Sequence, residues 1–189
     1  TMVTKFDLSK NKKLEYVAAG LGRPITQFVL PDENKIDTLI LPMANLMSID
    51  LSQTKNLRHL QLDNNFMLSS LDLSGMTKLE TLLCEGAPIE NLDLTDTRNL
   101  TMLTCNNNYM LTTLNLAGLS KLESVSCYSC SLSSLEMTGC DALKHLDCSE
   151  NMELAEVTFP QSLVSLNCSG CAFTKLDATK LPNLIDLHC

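Results

Sequence analysis

The chain has 189 residues, with 22 acidic against 14 basic side chains for a net charge of −8, and no stretch gathers the cationic cluster that a phosphate backbone demands, so nucleic acid is not an expected partner. No apolar run reaches the roughly 18 residues of a membrane helix, so no transmembrane segment is expected, and residues 1 to 13 are too polar for a secretory signal. With no Trp, five Phe and three Tyr, the interior has to be filled by aliphatic side chains and by the nine cysteines.

An internal period organises everything else. A frame Leu-x-x-Leu-x-(Leu/Cys) starts at Leu14, Ile36, Leu57, Leu79, Leu100, Leu122, Leu143, Leu163 and Leu184, in steps of 20 to 22 residues. Ahead of the first frame, Val3, Phe6 and Leu8 have the spacing of a second apolar pattern that recurs at Leu68, Leu71 and Leu73. A solenoid of about 8.5 turns is therefore expected from Val3 onward, forming a single leucine-rich-repeat domain over 1–189. This domain is expected to be a fragment or module of a longer protein. Within each frame the apolar residues lie two apart, as at Leu60 and Leu62, which is strand periodicity with one face buried. One turn cannot bury that face alone, so the turns must stack and stabilise one another. With 21 or 22 residues per turn there is little room for a helix. The expected fold is a curved right-handed β/α-type superhelix with two short parallel strands per turn and at most a 3₁₀ turn.

Every second turn carries Asn, at Asn65, Asn108 and Asn151, in the strings NNFML, NNYML and ENMEL. The other turns place small residues there, Ala44, Ala87, Cys130 and Cys171. The amides are expected to satisfy free backbone groups where the chain turns.

Six cysteines, Cys84, Cys105, Cys127, Cys148, Cys168 and Cys189, occupy the third apolar place of consecutive frames. They should form one buried ladder of free thiols, because neighbours about 4.8 Å apart are too distant for the Cβ separation of about 3.8 Å that a disulfide wants. The pairs Cys127/Cys130 and Cys168/Cys171 lie two turns, about 10 Å, apart, too far to surround one zinc. Cys140 falls outside this column, and the spacing gives no reason for its burial.

These repeats resemble the cysteine-ladder leucine-rich-repeat proteins of bacterial cell surfaces, the internalin J-like type. The resemblance rests on strings such as SSLDLSGMTKLETLLC, ENLDLTDTRNLTMLTCNNN and FTKLDATKLPNLIDLHC over roughly residues 36 to 189. It implies a secreted or surface-anchored adhesin-like module that binds other macromolecules.

Residues between the buried positions of the ladder strand should face outward, where repeat proteins commonly bind. The candidate ligand-binding residues are Tyr16, Ile40, His59, Gln61, Leu83, Met102, Thr104, Tyr128, His145 and Asp147. Outward apolar side chains among them suggest a partner site. His145 and His188 lie two turns apart, so no metal site is expected. A row of acids at Asp50, Asp72 and Asp93 belongs to the other strand, where stacked like charges repel. No phosphate loop, nucleophile elbow or positioned Cys–His pair occurs, and neither catalysis nor a cofactor is expected. The expected function is non-catalytic binding of a protein or glycan by a monomer. A structural spacer presenting another domain is the alternative.

Overall fold

The computed structural model describes residues 4–20, 22, 24–25 and 27–189. Val3, the expected start of the pattern, lies outside the described residues. Thirteen strands of three residues occur among the described residues: β1 Lys5–Asp7, β2 Tyr16–Ala18, β3 Gln27–Val29, β4 Thr38–Ile40, β5 His59–Gln61, β6 Thr81–Leu83, β7 Met102–Thr104, β8 Thr113–Asn115, β9 Ser124–Ser126, β10 Ser134–Glu136, β11 His145–Asp147, β12 Ser165–Asn167 and β13 Asp186–His188.

Nine of them form one parallel sheet in the order β2-β4-β5-β6-β7-β9-β11-β12-β13. Each strand is the centre of a repeat frame. Its middle residue faces inward and its two neighbours face out, which is why a frame contributes three strand residues. The register never slips: Val17 pairs with Leu39, Leu39 with Leu60, Leu60 with Leu82 and Leu82 with Leu103. The interior is a dry column of these side chains, with Leu39, Leu62, Leu79, Leu82, Leu100 and Leu103 fully buried. Aliphatic stacking between equivalent positions is therefore the source of stability, and it is shared between neighbouring turns.

Beyond the ladder position the chain turns sharply. The second residue after it takes a positive φ in successive turns, at Met43, Asn64, Gly86, Asn107, Ser129, Glu150 and Gly170. Most residue types find this left-handed conformation costly, and Asn and Gly accept it most readily. At Met43, Ser129 and Glu150 other residues are held there, each with its N–H bonded to a carbonyl of the following turn: Asp63 at 2.8 Å, Ser149 at 3.0 Å and Ser169 at 2.8 Å.

The second strand of each turn departs from expectation. Hydrogen-bonded pairs form only between β1 and β3 and between β8 and β10 among the described residues. In both pairs an acid faces a neutral residue, Asp7 opposite Val29 and Glu136 opposite Asn115. The stacked acids Asp50, Asp72 and Asp93 push against one another, and their turns stay unpaired there. Repulsion does not account for the open steps on either side of that run. The 3₁₀ turn Ala178–Lys180 is the helical element among the described residues, capped by Asp177, whose carboxylate accepts from the Thr179 N–H at 3.2 Å.

Candidate binding site

The cysteine ladder forms as the frame requires. Cys84, Cys105, Cys127 and Cys148 are fully buried and Cys168 is nearly so, while Cys189 is exposed. Each backbone N–H from Cys84 to Cys168 bonds to a carbonyl of the next turn, at 2.8–2.9 Å. All nine cysteines are free thiols. The fold is a cysteine-ladder repeat solenoid.

Burial pushes the Cys84 and Cys127 thiols up. Thiol–thiol hydrogen bonds together with burial do the same for Cys105 and Cys148. Burial raises Cys168 to about 11. Thiolates, the reactive form, are thereby suppressed along the seam.

The two cysteines beside the ladder do more than save space. Cys130 Sγ donates to the Cys105 carbonyl and Cys171 Sγ to the Cys148 carbonyl, both at 3.1 Å. They take over, in the shorter corners, part of the duty that Asn performs in the longer ones. As a thiol, Cys171 donates to that carbonyl. Once ionised it instead accepts from the Cys148 thiol, which draws its pKa down to about 7. The Cys148 hydrogen bond favours the thiolate and burial opposes it, and the hydrogen bond outweighs burial, so Cys171 ionises before its buried partner. Cys140 belongs to a second buried column with Thr54, Met76, Thr97 and Leu119, and its thiol donates to the Leu116 carbonyl at 3.1 Å.

The sheet brings nine of the ten candidate binding residues, all but Tyr128, onto one face, because its register sets them in two parallel columns. Ile40, Gln61, Leu83, Thr104 and Asp147 fall in one; Tyr16, His59, Met102 and His145 fall in the other. Tyr16 is 59% exposed and Met102 44%, and Ile40 and Leu83 are half-buried. Met102 pairs with Thr81 and Leu83 with Thr104, so Leu83 and Met102 lie diagonally across adjacent strands, within reach of one ligand group.

The polar end of the face is bonded internally. Asp147 accepts from the Ser149 hydroxyl at 2.6 Å, Asn167 accepts from Ser169 at 2.8 Å, and the Asn167 amide donates to Ser149 at 3.3 Å. His145 and His188 are kept apart by β12, and no cluster of metal-ligating side chains occurs among the described residues.

Tyr128 sits outside the sheet, one residue past Cys127, where the face meets the corner. Its hydroxyl accepts from Asn107 Nδ2 at 3.5 Å. Asn107 in turn borders a groove of about 550 Å³ lined by Phe66, Pro88, Tyr109 and Met110 above Gly86 and Ala87. Sequence reasoning assigned the strings NNFML and NNYML only a structural role for their asparagines. The signal it passed over is the aromatic residue after each one.

Among solved structures, the chain is similar to the functional domain of InlJ from Listeria monocytogenes, described as including a cysteine ladder. The identity is 22% and the TM-score 0.44, over 98% of this chain and 55% of that one. The chain thus spans about half the length of that structure. No family model matches the sequence. No curated protein matches it either. No helix among the described residues is long and apolar enough to cross a membrane.

Proposed function

We propose that this chain is a non-catalytic, adhesin-like binding module of a secreted or cell-surface bacterial protein, engaging a protein or glycan through the outward face of its ladder strands. The observation that carries the reading is the apolar end of that face. Tyr16 and Ile40 on β2 and β4, and Leu83 and Met102 on β6 and β7, project as two pairs on either side of β5 from a sheet whose other outward residues, Ala18 excepted, are polar. Outward apolar side chains lose free energy to water unless a partner covers them, whereas the backbone of a hydrogen-bonded sheet has little freedom left to lose on binding. The secreted or surface setting is supported by the resemblance in the repeat strings, and the absence of catalysis by a repeat fold whose ladder thiols from Cys84 to Cys168 are buried.

A spacer role is the second reading, favoured by the internally bonded polar end at Asp147, Ser149, Asn167 and Ser169.

An array of host proteins and glycans probed with the wild-type chain tests both. A ligand should be found whose affinity falls more than tenfold on Leu83→Asp combined with Met102→Asp, with circular dichroism unchanged. Unaltered affinity in the double variant would defeat the assignment to this face. Failure to retain any ligand would leave the spacer.

A further inference from the structure

A second surface, distinct from the ladder-strand face, runs along the corner that follows it. In the third, fifth and seventh turns, counted from Leu14, this corner holds one more residue than in its neighbours. Leu62 to Leu68, Cys105 to Leu111 and Cys148 to Leu154 are steps of six, whereas Leu41 to Leu46, Cys84 to Ile89 and Cys127 to Leu132 are steps of five. The extra residue cannot fit inside the turn, so the long corners push a side chain outward. These are Phe66 at 66% exposure, Tyr109 at 66% and Met152 at 73%. Among the short corners, that of the fourth turn is recessed and built from small residues, Gly86, Ala87 and Pro88, whereas the second carries Met43 at 43% and Met47 at 68% exposure beside Ala44, and the sixth carries Tyr128 beside Ser129, Cys130 and Ser131. Long and short corners therefore alternate, with the long ones two turns, about 10 Å, apart. The recess over the fourth turn is the groove between Phe66 and Tyr109.

We propose that this corner is a self-complementary surface joining two copies of the chain edge to edge and antiparallel. An isologous dimer pairs each turn with a turn of the copy such that their numbers sum to a constant. If that constant is odd, every long corner meets a short one. Taking it as nine puts the axis between the fourth and fifth turns. Tyr109 then enters the groove over Gly86–Pro88 of the copy, Phe66 meets Ser129–Ser131, and Met152 meets Ala44 with Met43 and Met47 beside it.

Charge constrains the register. The corner carries Asp63, Glu85, Glu150 and Glu153 and no Lys or Arg between residues 42 and 47, 63 and 68, 85 and 89, 106 and 111, 128 and 132 or 149 and 154, so two copies can meet only where acids do not oppose each other. Under the odd sum those acids face Tyr128 and Ser129, Asn106 and Asn107, Pro42 and Met43, and Leu46 and Met47, and none faces another acid. A parallel or even-sum arrangement would set projection against projection.

A saccharide is a poorer occupant, because two of the three polar side chains bordering the groove, Asn107 and Tyr109, are already engaged. Tyr109 Oη donates to Asn107 Oδ1 at 3.2 Å and Asn107 Nδ2 donates to Glu85 at 3.2 Å. The sequence alone gives the expectation of a monomer, and the proposed dimer departs from it.

Sedimentation velocity of the whole chain between micromolar and hundred-micromolar concentration tests the proposal. Wild type should dimerise. Tyr109→Lys should weaken the dimer at least tenfold, and adding Pro88→Glu to that variant should restore it, because residues 109 and 88 meet across the axis. Circular dichroism checks that both variants remain folded. A wild-type chain that stays monomeric throughout, or a double variant no better than Tyr109→Lys alone, overturns the proposal. So does a monomer whose Tyr109 resonances shift with a polyproline decapeptide or with chitohexaose, which would give the groove to another occupant. None of these residues is among the four that carry the binding face, so the two readings fail independently.

Discussion

Asn65 is fully buried, and each of its amide atoms is used. Nδ2 donates to the carbonyls of Leu41 at 2.9 Å and Leu62 at 2.7 Å; Oδ1 accepts from the N–H groups of Ala44 at 3.1 Å and Leu46 at 3.0 Å. One side chain thus satisfies backbone groups of two successive turns. Replacing it by Ala strands those groups away from water, at a cost of about 3 kcal/mol. Asn108 makes the same donations, to Cys84 at 3.0 Å and Cys105 at 2.7 Å, but its Oδ1 has no partner. Asn108→Ala should therefore destabilise less than Asn65→Ala in urea denaturation. Equal losses would mean that the accepting bonds contribute nothing. The structural duty of these asparagines was legible from their recurrence at every second turn. The donor role of Cys130 and Cys171 was not, because thiols at those places look like small apolar fillers until a carbonyl is seen 3.1 Å away.

At the scale of elements, the ladder strand could be read to the residue, since inward Leu at period two allows only one register once the turns stack. The second strand has the same apolar spacing, yet Asp50, Asp72 and Asp93 stack outside it and the hydrogen-bonded ladder does not close. Each of these carboxylates accepts from the residue two places on, Ser52 at 2.9 Å, Ser74 at 2.9 Å and Thr95 at 3.0 Å. Those hydrogen bonds hold the acids below their usual range. A folded-state pKa below the unfolded value of about 3.9 adds stability at higher pH and loses it as pH falls through the folded value. The melting temperature should accordingly be flat from pH 8 to about 5 and decline below about 4. Asp72→Asn keeps an accepting oxygen but removes a charge that the Ser74 hydrogen bonds and Lys55 favour. It should lower the melting temperature slightly at neutral pH and leave it unchanged below about pH 3, where the wild-type carboxylate is protonated too. A melting temperature raised at neutral pH would mean that repulsion between the stacked acids outweighs those bonds.

Across the whole molecule, contacts run between neighbouring turns of the sheet, and the strands of one turn never pair beyond the next. Such an array has no single centre to its core, and its cooperativity depends on each interface between turns being strong compared with the cost of leaving two new ends in water. Leu103 is fully buried at the middle of β7, the central strand, between Leu82 and Val125. Leu103→Ala removes the side chain from both interfaces and leaves a cavity, a loss of roughly 2–5 kcal/mol. If stability is passed from turn to turn, weakening this link should do more than shift the midpoint. Turns on either side of β7 should begin to unfold separately, so that the denaturant transition broadens and its slope falls. Hydrogen exchange should then report different opening free energies for the amides of β5 and β11, which in the wild type should open together. A single sharp transition with an unchanged slope would show instead that the nine strands behave as one unit, with interfaces strong enough to survive the loss of a central leucine.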